Sequence, residues 1–162
     1  MSALALLTSL ALAGCSDAPD TEPADVTDAP VLDDLDADQA AACEDLLARL
    51  PETLEEQTRR QVAPDGALAA VWGDPEIVLR CGVAEPALFN VVAPCLTVDG
   101  VDWFVPGTEL QAPEGPDVVL TVVKRLAVVE VTLPVDYGPP AALLADLSGP
   151  VSQAVPATGR CR

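Results

Sequence analysis

The chain patterns as an α+β fold, with an antiparallel sheet of about five strands and N- and C-terminal helices packed on one face. Three observations carry this expectation. Apolar residues recur with a helical period near residue 40, with a strand period from Ala67 to Leu133, and with a helical period again after Pro140. The strand-like runs succeed one another across short turn clusters, which makes neighbouring strands antiparallel. The roughly 124 residues after position 38 suit one domain and not comfortably two.

The first helix starts at Asp36, with Gln39 three residues on as a capping box and acids in its first turn suiting the helix dipole. Ala40, Cys43, Leu47 and Leu50 fall on one face, and Pro51 comes just after the end. Glu55–Arg59 and Glu56–Arg60 have the i,i+4 spacing of helix-surface pairs, although Arg59-Arg60 also suits an acidic partner. Ala67–Trp72 and Ile77–Val83 then flank the turn Gly73-Asp74-Pro75-Glu76, with Ile77, Leu79 and Cys81 on one face and Arg80 on the other. Asp99-Gly100 sits between alternating segments as a type I′ hairpin turn, which places Val98 opposite Val101 and Leu96 opposite Trp103. Val118–Val123 and Val128–Leu133 are two further strands, joined by a bend at Lys124-Arg125. Pro139-Pro140 opens a short helix carrying Leu143, Leu144 and Leu147, which Gly149-Pro150 is expected to stop.

The N-terminus locates the protein. An apolar run of 11 residues, Ala3 to Ala13, ends in Leu12-Ala13-Gly14-Cys15. Its length fits a signal-peptide core and falls well short of the roughly 20 residues of a membrane-spanning helix. The junction reads as a lipobox, so residues 1–14 are a signal peptide and Cys15 is the lipidated residue. No Lys or Arg precedes it, where a basic stretch is expected, and a start upstream of Met1 is the simple explanation; an ordinary buried helix would leave both the junction and the acidic segment beyond it unexplained. Residues 15–38 read as a disordered acidic linker, with nine acids and no base after Cys15, extended by repulsion and proline and holding residues 39–162 off the membrane.

Charge and composition exclude much. With 26 acidic and 8 basic residues the net charge is −18. Nucleic acid needs Lys and Arg clusters, so it is not expected as a partner, and an anionic lipid surface is equally not expected to attract the domain itself. The chain has no histidine, which removes Ser-His-Asp and Cys-His catalysis, HExxH sites and histidine-ligated zinc. No phosphate-cradling glycine motif occurs. Carboxylates could serve an envelope hydrolase, but no spacing singles out a pair. No catalytic residue, cofactor or metal site is assigned.

Cys43, Cys81, Cys95 and Cys161 remain once Cys15 is given to lipid, an even set suited to an oxidising compartment. Three pairings exist. Cys81–Cys95, closing a short loop between strands, and Cys43–Cys161, joining the ends of the domain, are the favoured ones.

Trp72-Gly73-Asp74-Pro75, Ile77-Val78-Leu79-Arg80-Cys81-Gly82-Val83, Gly100-Val101-Asp102-Trp103 and Val129-Glu130-Val131 with Pro134 and Tyr137 resemble the DUF3515 family, actinobacterial secreted proteins and lipoproteins of uncharacterised function. The likeness runs from about Cys43 to Cys161. It implies an extracytoplasmic compartment and a four-cysteine framework, and it carries no activity. It also implies a glycine where this chain has Lys124.

Trp72, Trp103 and Arg80 are the candidate binding residues. The two tryptophans sit beside turns, yet in a chain with five aromatics both also suit the core. Arg80 and Glu130 suit a cross-strand ion pair better than a ligand contact. The expectation is a non-catalytic envelope module on the outer face of the cytoplasmic membrane. Its partners are the membrane, through the anchor, and an envelope protein or glycan. A binding module predicts an exposed apolar patch; a hydrolase predicts two facing carboxylates; a purely structural envelope protein predicts neither.

Overall fold

Strands β5 (Ala69–Trp72), β6 (Ile77–Cys81), β9 (Val118–Val122) and β10 (Val129–Leu133) form the centre of the fold in a computed structural model that describes residues 22–90, 92–106 and 117–161. Around them lie β2 (Thr53–Leu54), β3 (Gln57–Arg60), β7 (Cys95–Val98) and β8 (Val101–Phe104), giving an eight-stranded sheet of order β2-β3-β5-β6-β10-β9-β8-β7. Every pairing in it is antiparallel. After β6 the chain crosses to the far edge and returns strand by strand until β10 closes against β6. The α+β architecture is as expected, with eight strands where about five were anticipated.

Helices α1 (Ala37–Arg49) and α2 (Ala141–Ala154) cover one face. The Asp36 carboxylate accepts from the backbone N–H of Asp38 and Gln39 at 3.1 and 2.9 Å, and Gln39 Oε1 accepts from Asp36 N, so the capping box forms. Alternation puts Ala70, Leu79, Val131 and Leu120 in one row across the sheet, with Cys81, Val129, Val122 and Trp103 in another. These residues meet Cys43 and Leu46 of α1, Leu50 just after it, and Leu143, Leu147 and Val151 of α2 in the principal core. The α2 helix runs through Gly149-Pro150 instead of stopping there. Burial of Val151 and Ala154 against the sheet outweighs the hydrogen bond that proline cannot donate.

Glu55 and Glu56 are not helical. They form the tight turn between β2 and β3, both at positive φ (47° and 63°), so neither expected i,i+4 pair exists. Glutamate favours helix locally, but the hairpin is held from outside. Leu54 is buried in the core, the Arg59 guanidinium lies 5.9 Å from the Trp72 ring and donates to Leu47 O, and Arg60 pairs with Glu76 at 2.8 Å.

The part of the expected linker that lies within the described residues, 22–38, packs onto the fold. Strand β1 (Ala24–Asp25) runs parallel to β4 (Val62–Ala63), and Ala24, Val26 and Ala29 bury on the second face of the sheet against Ala69, Val71 and Val78. The acidic composition of this stretch hides three apolar positions that lie down together. Cys15 and residues 1–14 lie outside the described residues.

Both disulfides differ from the favoured pairing. They are Cys43–Cys81 and Cys95–Cys161. Cys81 shares the helix face with Leu79, whereas Cys95 shares the opposite face with Thr97, because Leu96 is the residue opposite Trp103. Strands β6 and β7 also stand four positions apart in the sheet, about 19 Å at ordinary strand spacing. Proximity in sequence is not proximity here.

Candidate binding surface

The second face of the sheet carries two small apolar clusters with a polar strip between them. Along one register row the residues are Ala69, Arg80, Glu130, Thr121, Phe104 and Cys95. Arg80 contacts Asp28 at 2.9 Å and Glu130 at 3.9 Å, and only 16 % of its side chain is exposed. It is therefore a clasp between the N-terminal segment and the sheet, not a contact waiting for a ligand.

Both tryptophans are fully buried, so neither forms a recognition surface. The Trp72 indole donates to Pro51 O and the Trp103 indole to Ser148 Oγ, each at 3.0 Å. Ser148 in turn donates to Leu144 O at 2.6 Å, satisfying a hydroxyl sealed inside α2.

The exposed apolar surface lies elsewhere, on the β6–β7 connection, which carries neither a periodic pattern nor a motif in the sequence. Phe89 turns inward and meets Phe104 edge-on with centroids 5.3 Å apart. Ala93 buries beside it together with Val123 and the Cys95–Cys161 disulfide. Asn90 shapes the loop, its side-chain oxygen accepting from Val92 N and its carbonyl from Ala93 N. With those positions pinned inward, Leu88 and Val92 are held out, 71 % and 80 % exposed. With Pro94 and Pro106 they wall a cleft of about 430 Å³ whose floor is Phe104 and Val105. Leu96, 42 % exposed on the edge strand β7, lies on the other face of the sheet, opposite Trp103.

Cations border this corner. Lys124 Nζ lies 4.8 Å from the Phe89 ring centroid. Lys124 itself adopts a left-handed backbone (φ 59°), which explains why the family resemblance implies glycine there. Its carbonyl accepts from both Thr158 N and Gly159 N, so the bend is fastened to the C-terminal tail. Arg125 donates to Val155 O at 2.6 Å and Gly100 O at 3.0 Å. Burial lowers its pKa from the ordinary arginine value, with the Asp102 charge opposing and the Arg160 charge adding to that effect.

Asp102 is a buried carboxylate, but its oxygens are committed, one to Thr97 Oγ1 at 2.7 Å and the other to Cys161 N at 2.9 Å. It positions the tail and does not stand ready as an acid or base. Among the described residues no group of three or more His, Cys, Asp or Glu could hold a metal ion. What this corner offers is apolar area beside positive charge, the chemistry of docking.

The chain belongs to the DUF3515 family, proteins of unknown function, whose model matches residues 1–159. Neither the curated proteins nor the solved structures contain a match to it.

Proposed function

We propose that this DUF3515 protein is a lipid-anchored, extracytoplasmic component of the cell envelope, acting as a non-catalytic binding module through the corner built by Leu88, Val92 and the β7 edge. The observation that carries the docking reading is the contrast within one loop. Phe89 and Ala93 are packed away, while Leu88 and Val92 are held in solvent by the same backbone. A loop ordered by its own inward residues keeps such a surface available at little entropic cost on binding.

The anchor reading rests on Leu12-Ala13-Gly14-Cys15. Two disulfides suit the oxidising side of a membrane. Intact mass of the protein from the native membrane fraction tests the anchor: a chain beginning at Cys15, carrying diacylglycerol and gaining four hydrogens on reduction, is expected. An unprocessed chain overturns it. A photo-reactive residue at position 92, compared with one at Glu44 on the exposed side of α1, tests the docking surface in the native envelope. Adducts at 92 alone are expected; equal yields at both positions reject this corner as the surface used.

A further inference from the structure

The average charge of the chain hides how its cations are placed. Arg49, Arg60 and Arg80 each sit against a carboxylate, and Arg59 is taken up by Trp72 and Leu47 O. Lys124, Arg125 and Arg160 form no ion pair with a carboxylate among the described residues. They gather at one place. The Lys124 side chain lies along Gly159, about 3.7 Å from where a Cβ on that residue would sit, and Arg160 comes directly after. Among the described residues, three of the four cations without a carboxylate partner are thus gathered at one corner.

That corner is continuous with the apolar one. Lys124 touches Phe89, the neighbour of Leu88, and Arg160 precedes Cys161, whose disulfide partner Cys95 is next to Pro94. Arg125 is spent on two carbonyls, the half-buried Lys124 sets its ammonium over the Phe89 ring with no carboxylate beside it, and Arg160 is exposed. Exposed Leu and Val beside Lys and Arg that no carboxylate neutralises is the side-chain set of a surface that rests in a lipid headgroup layer.

Reach supplies the second argument, and it rests on the lipid-anchored reading of Cys15. Glu22, the first of the described residues, is seven residues beyond Cys15. Seven residues span at most about 25 Å when fully extended. An anchor at Cys15 therefore keeps Glu22, whose carbonyl Arg60 holds at the β3 side of the sheet, within about 25 Å of the bilayer.

We propose that this corner is where the anchored domain lies against an anionic phospholipid surface, with Leu88 and Val92 entering the headgroup layer and Lys124 and Arg160 meeting lipid phosphates. Each such cation near an anionic leaflet strengthens attachment about fivefold. The acidic remainder of the domain is repelled, and at physiological salt that repulsion fades over about 8 Å. Attraction at one corner and repulsion elsewhere fix one orientation. The anchor supplies affinity and the corner supplies direction.

The test uses the mature lipidated protein in phosphatidylcholine vesicles with and without phosphatidylglycerol, read by hydrogen exchange. Amides of residues 86–93 and 157–161 are expected to exchange several-fold more slowly when phosphatidylglycerol is present. High salt should reverse this, as should the double variant Lys124→Glu with Arg160→Glu. Leu88→Asp, on a solvent-exposed side chain, is a second variant that should lose the protection without depending on the tail. Equal protection in pure phosphatidylcholine, or none in either vesicle, overturns the proposal. So does protection that survives the double charge reversal. Adducts at position 92 to an envelope protein, with no protection on vesicles, would leave the docking surface standing and remove lipid as its occupant.

Discussion

The two disulfides sit in opposite surroundings and divide the molecule into a sealed half and an open corner. Cys43–Cys81 is wholly buried, joining α1 to the central strand β6 beneath both helices. Cys95–Cys161 is partly exposed, joining the edge strand β7 to a tail held by Asp102 and Lys124. One bond staples a core that hydrophobic burial already defines. The other holds together a surface with little core of its own, where Leu88 and Val92 lie in solvent. Covalent closure at the corner substitutes for packing, and an apolar surface can then stay outside.

Removing the sealed staple has a large expected effect. Cys43→Ala with Cys81→Ala reopens a loop of 38 residues in the unfolded chain. By loop entropy this costs about 4 kcal/mol, read as a lower urea midpoint. Ser148→Ala comes next: it strands the Trp103 indole N–H inside the core, costing about 1–3 kcal/mol in the same measurement.

Tyr137→Phe should cost about 1 kcal/mol through the lost hydrogen bond to Pro75 O, and it carries a pH signature. Burial, then the charges of Asp74 and Asp136, push the Tyr137 phenol above its ordinary value of 10.0. As pH rises through that value the unfolded phenol ionises first while the folded one keeps its proton, so stability falls on the alkaline side. The part of that fall due to Tyr137 should vanish in the phenylalanine variant, measured as unfolding free energy against pH.

At the corner the expected stability effects are small. Leu88→Asp and Val92→Asp should each leave stability within about 0.5 kcal/mol, because neither side chain is buried. A loss comparable to Ser148→Ala would show that the corner belongs to the core after all. Lys124→Gly should stabilise by about 0.5 kcal/mol, the relief of a left-handed lysine less its contact with Phe89.

Legibility in the sequence divides along the same line. The Asp36 capping box, the Asp99-Gly100 turn and the Val98–Val101 register are local signals, and the folded chain keeps them. The face shared by Ile77, Leu79 and Cys81 was equally readable. Glu55-Glu56 misled because a favourable helix pattern yielded to Leu54 burial and the Arg59–Trp72 contact, which depend on residues far along the chain. Composition misled at Ala24, Val26 and Ala29, where sparse apolar residues lie among acids. The disulfide pairing failed for want of strand order, although opposite parity at Cys81 and Cys95 already argued against joining them. Trp72 and Trp103 drew attention as rare aromatics but serve the core. The exposed corner, around Leu88-Phe89-Asn90, carried no periodic signal, and its meaning depends on which of its residues turns inward.

Peptide mapping of the folded protein under graded reductant, with alkylation at each step, tests the contrast most directly. Cys95 and Cys161 should be alkylated together first, while Cys43 and Cys81 remain joined until the core unfolds. Simultaneous opening of both bonds, earlier loss of Cys43–Cys81, or a peptide joining Cys81 to Cys95 would contradict the division into sealed core and open corner.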